Sequence, residues 1–221
     1  MKKLESSLKN MLLVLTGVTV ISVALLAYVN ELTTRPIAEA NSKTLNEALK
    51  QVLPSFTNNP VAESDTVFSE KDGKKLVDFI LYPAKDGKKW VGTAVQSVSL
   101  GFGGELKVLV GFDAEGNIYN YSLLAHSETP GLGSKAADWF KEGGKGSIKG
   151  MNPGKAPLAV SKDGGEVDAI TASTITSRAF LKAVNAAYKA YLGSEIINGT
   201  TGATQKAVEP ADTIRTNVIK E

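Results

Sequence analysis

The stretch Val167–Ser177, with the sequence VDAITASTITS, determines how the rest of the chain can be interpreted. It places five hydroxyl side chains within seven residues and leads directly into an amphipathic pattern. From Phe180 onward, apolar residues recur at three- and four-residue steps, at Leu181, Val184, Tyr188 and Tyr191. This spacing predicts a helix with one buried stripe. The hydroxyl run would lie at the helix N-terminus, where Ser and Thr cap backbone N–H groups and where a phosphate can bind.

A simple helix cap is the alternative explanation for this run. In that case Thr174 or Thr176 bonds to the first turn and has no further role. The acid Asp168, three residues ahead of a Thr-x-x-Thr core, favours a more specific site.

The run resembles the flavinylation motif of FMN-binding domains in the Rnf and Na⁺-translocating NADH:quinone reductase families. That motif is an Asp, two variable residues and Ser/Thr-Gly-Ala-Thr, usually followed by a variable residue, a Thr or Ser, and a Ser. In those families a flavin transferase attaches FMN to the last Thr of the core by a phosphoester bond. The resemblance implies that Asp168 is the acid, Thr171 the first hydroxyl residue and Thr174 the attachment site, with Thr176 and Ser177 completing the motif.

The chain departs from this motif at two positions. Ala172 replaces the Gly, and it tolerates a positive φ less well than Gly does. Ser173 replaces the Ala and adds a competing hydroxyl. A second Thr-Gly-Ala-Thr ends at Thr204, but it lacks the Asp and no amphipathic helix follows it, so Thr174 is the predicted site.

A second motif is His126-Ser-Glu-Thr-Pro-Gly-Leu-Gly133. Taken alone, its Thr-Pro-Gly-Leu-Gly part is a rigid turn whose glycines let backbone N–H groups approach a ligand closely. It also resembles the second signature of the same FMN-binding family, which lies against the flavin. The resemblance therefore implies flavin contacts from Glu128, Thr129, Gly131, Leu132 and Gly133. Two signatures in the right order, about forty residues apart, are more specific than either alone.

Other candidate side chains have ordinary explanations. His126 could attach a flavin or donate a proton, but a lone His at a strand end is expected to be hydrogen-bonded or exposed. Trp90, Trp139 and Phe102 could stack on an isoalloxazine ring, yet aromatic residues in strands and helices are expected to be core residues.

Composition excludes several classes of protein and site. The 221 residues are 43% hydrophobic and 22% charged, which is globular. With no cysteine, the chain has no cysteine-ligated cluster, disulfide or cysteinyl flavin, and one histidine disfavours a His-based metal site. We expect no metal. Beyond the N-terminal tail the charges balance at 22 of each sign, which argues against nucleic-acid binding.

Met11 to Val29 is a run of nineteen uncharged residues, about 28 Å as a helix, which suits a bilayer core. A cleaved signal peptide is the alternative, but the run exceeds the usual apolar region. The preceding Lys2, Lys3 and Lys9 against Glu5 predict a cytoplasmic N-terminus, a single pass through the cell membrane and an extracytoplasmic soluble part.

The remaining pattern predicts an α+β fold, with a transmembrane helix followed by a domain in which helices flank an antiparallel β-meander. The resemblance implies that this domain is an FMN-binding domain. A short exit segment, 30–36, leads to a helix over Ile37–Leu53, and strands are expected over 76–82, 90–98, 106–112 and 118–124. Short strands are also expected over 157–160 and 166–170. The predicted divisions are 1–10 cytoplasmic, 11–29 transmembrane, 30–60 stalk, 61–198 FMN-binding domain and 199–221 polar tail.

The resemblance implies an electron carrier similar to the G subunit of an Rnf complex, a ferredoxin:NAD⁺ oxidoreductase coupled to Na⁺ or H⁺ transport. Its implied partners are integral-membrane and iron–sulfur or flavin subunits, and a transferase that uses FAD and Mg²⁺. The chain alone would be a relay within a translocase rather than a complete enzyme. Alternatives are a protein similar to the C subunit of the Na⁺-translocating NADH:quinone reductase, a membrane-anchored sensor that binds a ligand reversibly, and a structural subunit with a decayed motif.

Overall fold

The structure, a computed structural model, describes residues 8–71 and 74–198, with side chains left undescribed over 69–77 and beyond 193. Its main elements follow the chain as helix α1 (Leu8–Val52), strands β1 (Asp65–Lys71), β2 (Lys74–Asp86), β3 (Lys89–Leu100), β4 (Glu105–Asp113) and β5 (Ile118–His126), a short helix α2 (Ala136–Trp139) and helix α3 (Thr174–Asn198). The polar tail, including Thr204, lies outside the described residues.

Helix α1 is continuous, so the prediction of an exit segment over 30–36 is wrong. Pro36 cannot donate a backbone hydrogen bond, which is why a break is expected there. Immediately before it, the hydroxyls of Thr33 and Thr34 donate to the carbonyl oxygens of Val29 and Asn30 at 2.8 and 2.6 Å. The helix continues through Pro36 and ends at Val52, one residue before the predicted end.

The five strands form one antiparallel sheet in the order β1-β2-β3-β4-β5. All four predicted strands are present and each pairs with its sequence neighbour, as the Asp-Gly and Gly-rich turns indicate. The sheet gains a fifth strand, β1, which pairs with β2. The α+β prediction with an antiparallel meander is confirmed.

Each face of the sheet packs against a different helix. The last two turns of α1 cover one face with Ala48, Leu49 and Val52, against Ala94 and Leu109 among others. They come so close to β4 that a Cβ at Gly111 would overlap the carbonyl oxygen of Val52. The first half of α1 buries no residue of its apolar window, which is long enough to cross a membrane.

Helix α3 covers the opposite face, and its buried stripe is the predicted one: Phe180, Leu181, Val184, Tyr188 and Tyr191. Two serines of β3 fix its N-terminal half. The hydroxyl of Ser97 donates to the carbonyl oxygen of Ala183 at 3.0 Å, and that of Ser99 to Ala179 at 2.7 Å. The start of α3 is thereby held beside the ends of β3 and β5.

The segment between β5 and α3 is mostly irregular. A 3₁₀ turn (Gly133–Lys135) leads into α2, and a second (Ser161–Asp163) precedes the hydroxyl-rich run. The strands predicted over 157–160 and 166–170 reduce to one isolated parallel bridge between Val160 and Val167, so that prediction is wrong. A single pair of bridged residues is too short to form a β-ladder. The two segments instead form an irregular connection that leads to α3.

Candidate functional site

The start of α3 is fixed by one buried hydroxyl. Ser177 is fully buried, and its Oγ accepts a hydrogen bond from the N–H of Ile170 (2.9 Å) and donates one to the carbonyl oxygen of Ser173 (3.0 Å). The backbone N–H of Ser177 also donates to Ser173 at 3.0 Å. These bonds close the turn that precedes the helix and leave Ser177 no role as an acceptor of an external group.

Ala172 lies at the tip of this turn with a φ of +62°. Among the described residues it is the one non-glycine residue with a positive φ. This conformation costs an L-residue roughly 1–2 kcal/mol, which is why Gly is preferred in such turns. Ala172 therefore occupies a position whose backbone conformation favours Gly, and its backbone is strained there.

Glu128 joins the two sequence signatures. Its Oε2 accepts a 2.7 Å hydrogen bond from the hydroxyl of Thr176, and its Oε1 accepts one from the N–H of Gly103 at 3.1 Å. Glu128 is 6% exposed and Thr176 1%. Gly133 packs against both groups, and a Cβ there would lie 2.9 Å from the Thr176 hydroxyl. The structure thus brings the Glu128–Gly133 loop to the first turn of α3.

The rest of that loop is a tight turn at the surface. Thr129 accepts hydrogen bonds at its carbonyl oxygen from the N–H groups of Leu132 (3.2 Å) and Ser134 (3.3 Å), and Gly131 has a φ of +74°. The side chain of Leu132 is 42% exposed. Leu132 therefore presents an apolar surface beside the start of α3.

Two of the five hydroxyl groups in the run 171–177 form hydrogen bonds within the protein, and the other three do not among the described residues. Thr176 and Ser177 are buried and hydrogen-bonded as above. The structure gives no hydrogen bond to the hydroxyls of Thr171, Ser173 or Thr174 from the residues that it describes. Ser173 is buried, Thr174 is half-buried and Thr171 is exposed.

The first turn of α3 has no side-chain cap. Within the described part of the chain, the backbone N–H groups of Thr174, Ile175 and Thr176 have no acceptor. The simple-cap explanation is therefore wrong, because Thr176 bonds to Glu128 and Thr174 caps nothing. Three free donors and the positive end of a 25-residue helix lie next to the Thr174 hydroxyl.

Asp168 forms no hydrogen bond with these hydroxyls among the residues that the structure describes. It is exposed, and its Oδ1 accepts a 3.2 Å hydrogen bond from the hydroxyl of Ser161. Its carbonyl oxygen accepts a 2.8 Å bond from the indole N–H of Trp139. Both residues contribute to the wall of a pocket of about 340 Å³, which also includes Lys145, Lys162, Thr171 and Ala172.

The remaining candidates divide between core and surface. Trp90 is a core residue as predicted, stacked on Tyr191 with ring centroids 6.1 Å apart. Phe102 is 70% exposed, so its assignment to the core is wrong: it occupies the β3–β4 turn, beyond the cover of either helix. His126 is exposed at the end of β5, as expected, and its Nδ1 accepts a 3.3 Å bond from the N–H of Glu128.

Sequence patterns do not reveal three parts of this site. Gly103, which donates to Glu128, is recognisable in the sequence only as part of a hairpin turn. Lys145 and Lys162 lie in irregular segments without periodicity. An ion pair between Arg178 of α3 and Asp163 (2.6 Å) fixes the second 3₁₀ turn, and hydrogen bonding by Arg178 lowers the pKa of Asp163.

Comparisons with known proteins cover the part of the chain that contains this site. The model of the FMN-binding domain family matches residues 101–189, which include both signatures. The chain is similar to proteins named as the G subunit of an ion-translocating oxidoreductase complex. The one from Stutzerimonas stutzeri is 35% identical, over 70% of this chain and 68% of the relative. The one from Escherichia coli K12 is 35% identical, over 75% of this chain and 82% of the relative. The one from Shewanella amazonensis is 33% identical, over 82% of this chain and 86% of the relative.

The extent of these matches shows the family, because each one covers at least two thirds of this chain and at least two thirds of the relative. The apolar helix α1 adds a structural indication that this is a membrane protein, as suits a component of an ion-translocating complex. The chain belongs to the family of FMN-binding-domain proteins that includes the G subunits of the ion-translocating oxidoreductase complexes.

Proposed function

We propose that this protein is the electron-carrying flavoprotein subunit of a membrane-bound ion-translocating oxidoreductase, with FMN held on Thr174 by a phosphoester bond. The observation that carries the proposal is the free hydroxyl of Thr174 beside three unpaired N–H groups at the start of α3. The similarity to G-subunit proteins supports the electron-transfer role, and the family model supports FMN as the cofactor.

The hydroxyl pattern favours Thr174 over its neighbours. Thr176 and Ser177 are buried and occupied, so neither hydroxyl can reach an external phosphate. Ser173 is only 8% exposed. Thr171 is accessible but precedes the strained turn, where no helical N–H groups converge on it. Thr174 alone combines partial exposure, a free hydroxyl and the helix start.

The electrostatics of this position suit a phosphodiester. A phosphodiester carries one negative charge, and the end of a helix dipole stabilises an anion at an exposed site by about 0.3–1 kcal/mol. The N–H groups of Ile175 and Thr176 can each donate to a phosphate oxygen. Asp168 has the same charge sign as the phosphodiester, but its carboxylate is hydrogen-bonded to Ser161 and forms no hydrogen bond with Thr174 in the described part of the chain.

Attachment requires a separate transferase. The Thr174 oxygen forms a bond to the FMN-side phosphorus of FAD, the pyrophosphate P–O bond breaks, AMP leaves and the hydroxyl proton is released. The half-buried Thr174 lies on a surface turn that such an enzyme can reach. Ser177 and Glu128 keep the turn in position, and Asp168 contributes an exposed carboxylate six residues earlier for recognition.

Bound FMN supplies one- and two-electron chemistry that no side chain of this protein can provide. The chain has no cysteine for an iron–sulfur cluster, so electrons must come from and go to other subunits. The N-terminal lysines favour a cytoplasmic N-terminus and an FMN-binding domain outside, with α1 as a single membrane anchor. A covalent bond prevents loss of the cofactor from that compartment.

In-gel flavin fluorescence tests the proposal. The protein is produced with a flavin transferase, denatured and separated, with Thr174→Val and Thr204→Val alongside. We expect a fluorescent band for the wild type and Thr204→Val and a dark band for Thr174→Val. A dark wild-type band beside a fluorescent control substrate would contradict covalent attachment and favour a reversible binding module.

A further inference from the structure

The turn between β3 and β4 carries the most exposed large apolar side chains among those that the structure describes in the sheet. Leu100, the last residue of β3, is 76% exposed, and Phe102 in the turn is 70% exposed. Val98, two residues before Leu100, is exposed as well. We call Val98, Leu100 and Phe102 the apolar tip. Exposed apolar residues that follow one another on one surface mark a place where another molecule covers the protein.

The apolar tip lies on the face of the sheet that α1 covers. The hydroxyls of Ser97 and Ser99 donate to carbonyl oxygens of α3, so the alternating side chains of Val98 and Leu100 lie on the opposite face. On that same face Ala94, four residues before Val98, is buried in the cluster beneath α1. The apolar row of β3 therefore continues beyond the part of the sheet that α1 covers.

Helix α1 leaves the domain in the direction of the apolar tip. Near the end of α1, the carbonyl oxygen of Gln51 accepts a 3.1 Å hydrogen bond from the side-chain amide of Asn120, which lies near the start of β5. Leu45, almost two turns earlier in α1, packs against the same apolar cluster as Leu124, which lies near the end of β5. The end of β5 lies beside the β3–β4 turn, since β5 pairs antiparallel with β4. The apolar window of α1 therefore lies beyond the end of the sheet that carries the apolar tip.

The lengths of the two elements bring the apolar tip close to a membrane that α1 crosses. Gly111 of β4 lies against Val52 of α1. From this contact β4 extends to Glu105, about 20 Å away, whereas α1 extends to Val29, about 35 Å away. The difference of about 15 Å is spanned by the turn, the side chain of Phe102 and the headgroup layer, which is about 5–7 Å thick.

We propose that the apolar tip inserts into the headgroup region of the bilayer that α1 crosses, as a second membrane contact that fixes the rotation of the domain about α1. Three side chains are too few for a protein interface, which buries about 800 Å² on each partner. Leucine and phenylalanine side chains bind favourably at the boundary between headgroups and acyl chains, and lipid requires no matching shape. The inference requires α1 to span a membrane and is independent of flavin attachment.

Spin-label accessibility in liposomes tests this contact, because a chain without cysteine can be labelled at one chosen position. Glu105→Cys places a nitroxide label opposite Leu100, and Ala114→Cys places one in the β4–β5 turn at the other end of the sheet. Both native residues are exposed. The full-length protein is reconstituted in phosphatidylcholine vesicles, with oxygen, which concentrates in the bilayer, and a water-soluble nickel chelate on both sides. We expect oxygen to relax mainly the label at 105 and nickel mainly the label at 114.

Serine substitutions show whether the apolar side chains hold this contact. Leu100→Ser/Phe102→Ser should expose the label at Glu105→Cys to nickel and reduce its collisions with oxygen. Tyr119→Ser/Leu192→Ser is the matched control, because it removes two exposed apolar side chains near the other end of the domain. The control pair should leave the accessibility of the label unchanged.

The outcomes distinguish lipid from a protein partner. Equal access of nickel to the labels at 105 and 114, or equal effects of the two serine pairs, would overturn the proposal. Shielding of the label at 105 that appears only in membranes containing other subunits would place a protein on the apolar tip and would overturn it too. A dark band in the flavin assay would leave the expected result unchanged, since neither label reports on FMN.

Discussion

Replacing Ala172 by Gly should make the protein more stable, although it removes a methyl group. Ala172 has a φ of +62°, which costs an L-residue roughly 1–2 kcal/mol. Gly escapes that cost but loses more chain entropy on folding, roughly 0.5–1 kcal/mol relative to Ala. Since Ala172 is exposed, its methyl group contributes little burial energy. The difference between these two costs should raise the free energy of unfolding by about 0.5–1 kcal/mol in Ala172→Gly.

Thermal unfolding of the detergent-solubilised protein measures this gain. A gain of this size should raise the melting temperature by about 1–4 °C, given 2–4 °C per kcal/mol for a chain of this length. Ala186→Gly in the middle of α3 is the matched control, because its backbone is helical, and it should destabilise by about 1 kcal/mol. Ala172→Val should destabilise as well, since a β-branched residue fits a positive φ worse than Ala.

The sign of the effect at Ala172 is the decisive result. Equal losses of stability in Ala172→Gly and Ala186→Gly would show that Ala172 has an ordinary backbone conformation, and the account of the turn would be wrong. A gain at Ala172 with a loss at Ala186 would show that the departure from the family motif is tolerated at the expense of stability.

Three further predictions concern the buried groups around the site. Glu128→Ala should lower the free energy of unfolding by about 2–4 kcal/mol in urea titrations, because the buried hydroxyl of Thr176 and the part-buried N–H of Gly103 lose a charged acceptor, whereas Thr176→Val should cost only about 1–2 kcal/mol. Gly133→Ala should cost about 1–3 kcal/mol in the same assay and reduce flavin attachment, because the new methyl group would overlap the Glu128 carboxylate. Burial raises the pKa of Tyr121 far above its usual 10, so the unfolded chain loses this proton first. The contribution of Tyr121 to stability should be constant below pH 10 and fall by about 1.4 kcal/mol per pH unit above it. A decline above pH 10 that is equally steep in Tyr121→Phe would contradict the assignment.

The meander and α3 were predictable because their sequence signals are local. Apolar, β-branched and aromatic runs separated by Asp-Gly and Gly-rich turns indicate hairpins between sequence neighbours, and these need no long-range information. The stripe from Phe180 to Tyr191 likewise identifies the buried face of α3 directly. The site residues at the helix start follow from the same helix, since its N-terminus is where unpaired donors must lie.

The continuity of α1 was not predictable from the usual rule for proline. Pro36 removes one backbone donor, and sequence patterns treat that as a boundary. The hydroxyls of Thr33 and Thr34 bond to carbonyls one turn back, and only the structure shows these bonds. The consequence is a helix that runs without interruption from its apolar window to the sheet.

The hydrogen bonds within the site also could not be predicted from the sequence. The bond between Thr176 and Glu128 joins residues 48 positions apart, and no spacing rule relates them. Likewise, the pocket gathers Lys145, Lys162 and Asp168 from irregular loops whose placement depends on tertiary packing. Sequence patterns could name the hydroxyl residues but not decide which hydroxyls are free, which is the distinction that favours Thr174.

Peptide mass spectrometry of protein produced with a flavin transferase tests the central claim most directly. Trypsin releases the five hydroxyl residues in the peptide Asp163–Arg178 and Thr204 in a separate peptide, Ala190–Lys206. We predict that the first peptide gains the mass of FMN less one water and that fragmentation assigns it to Thr174. The same gain on Ser173, or on the peptide that contains Thr204, would contradict the account of the helix start.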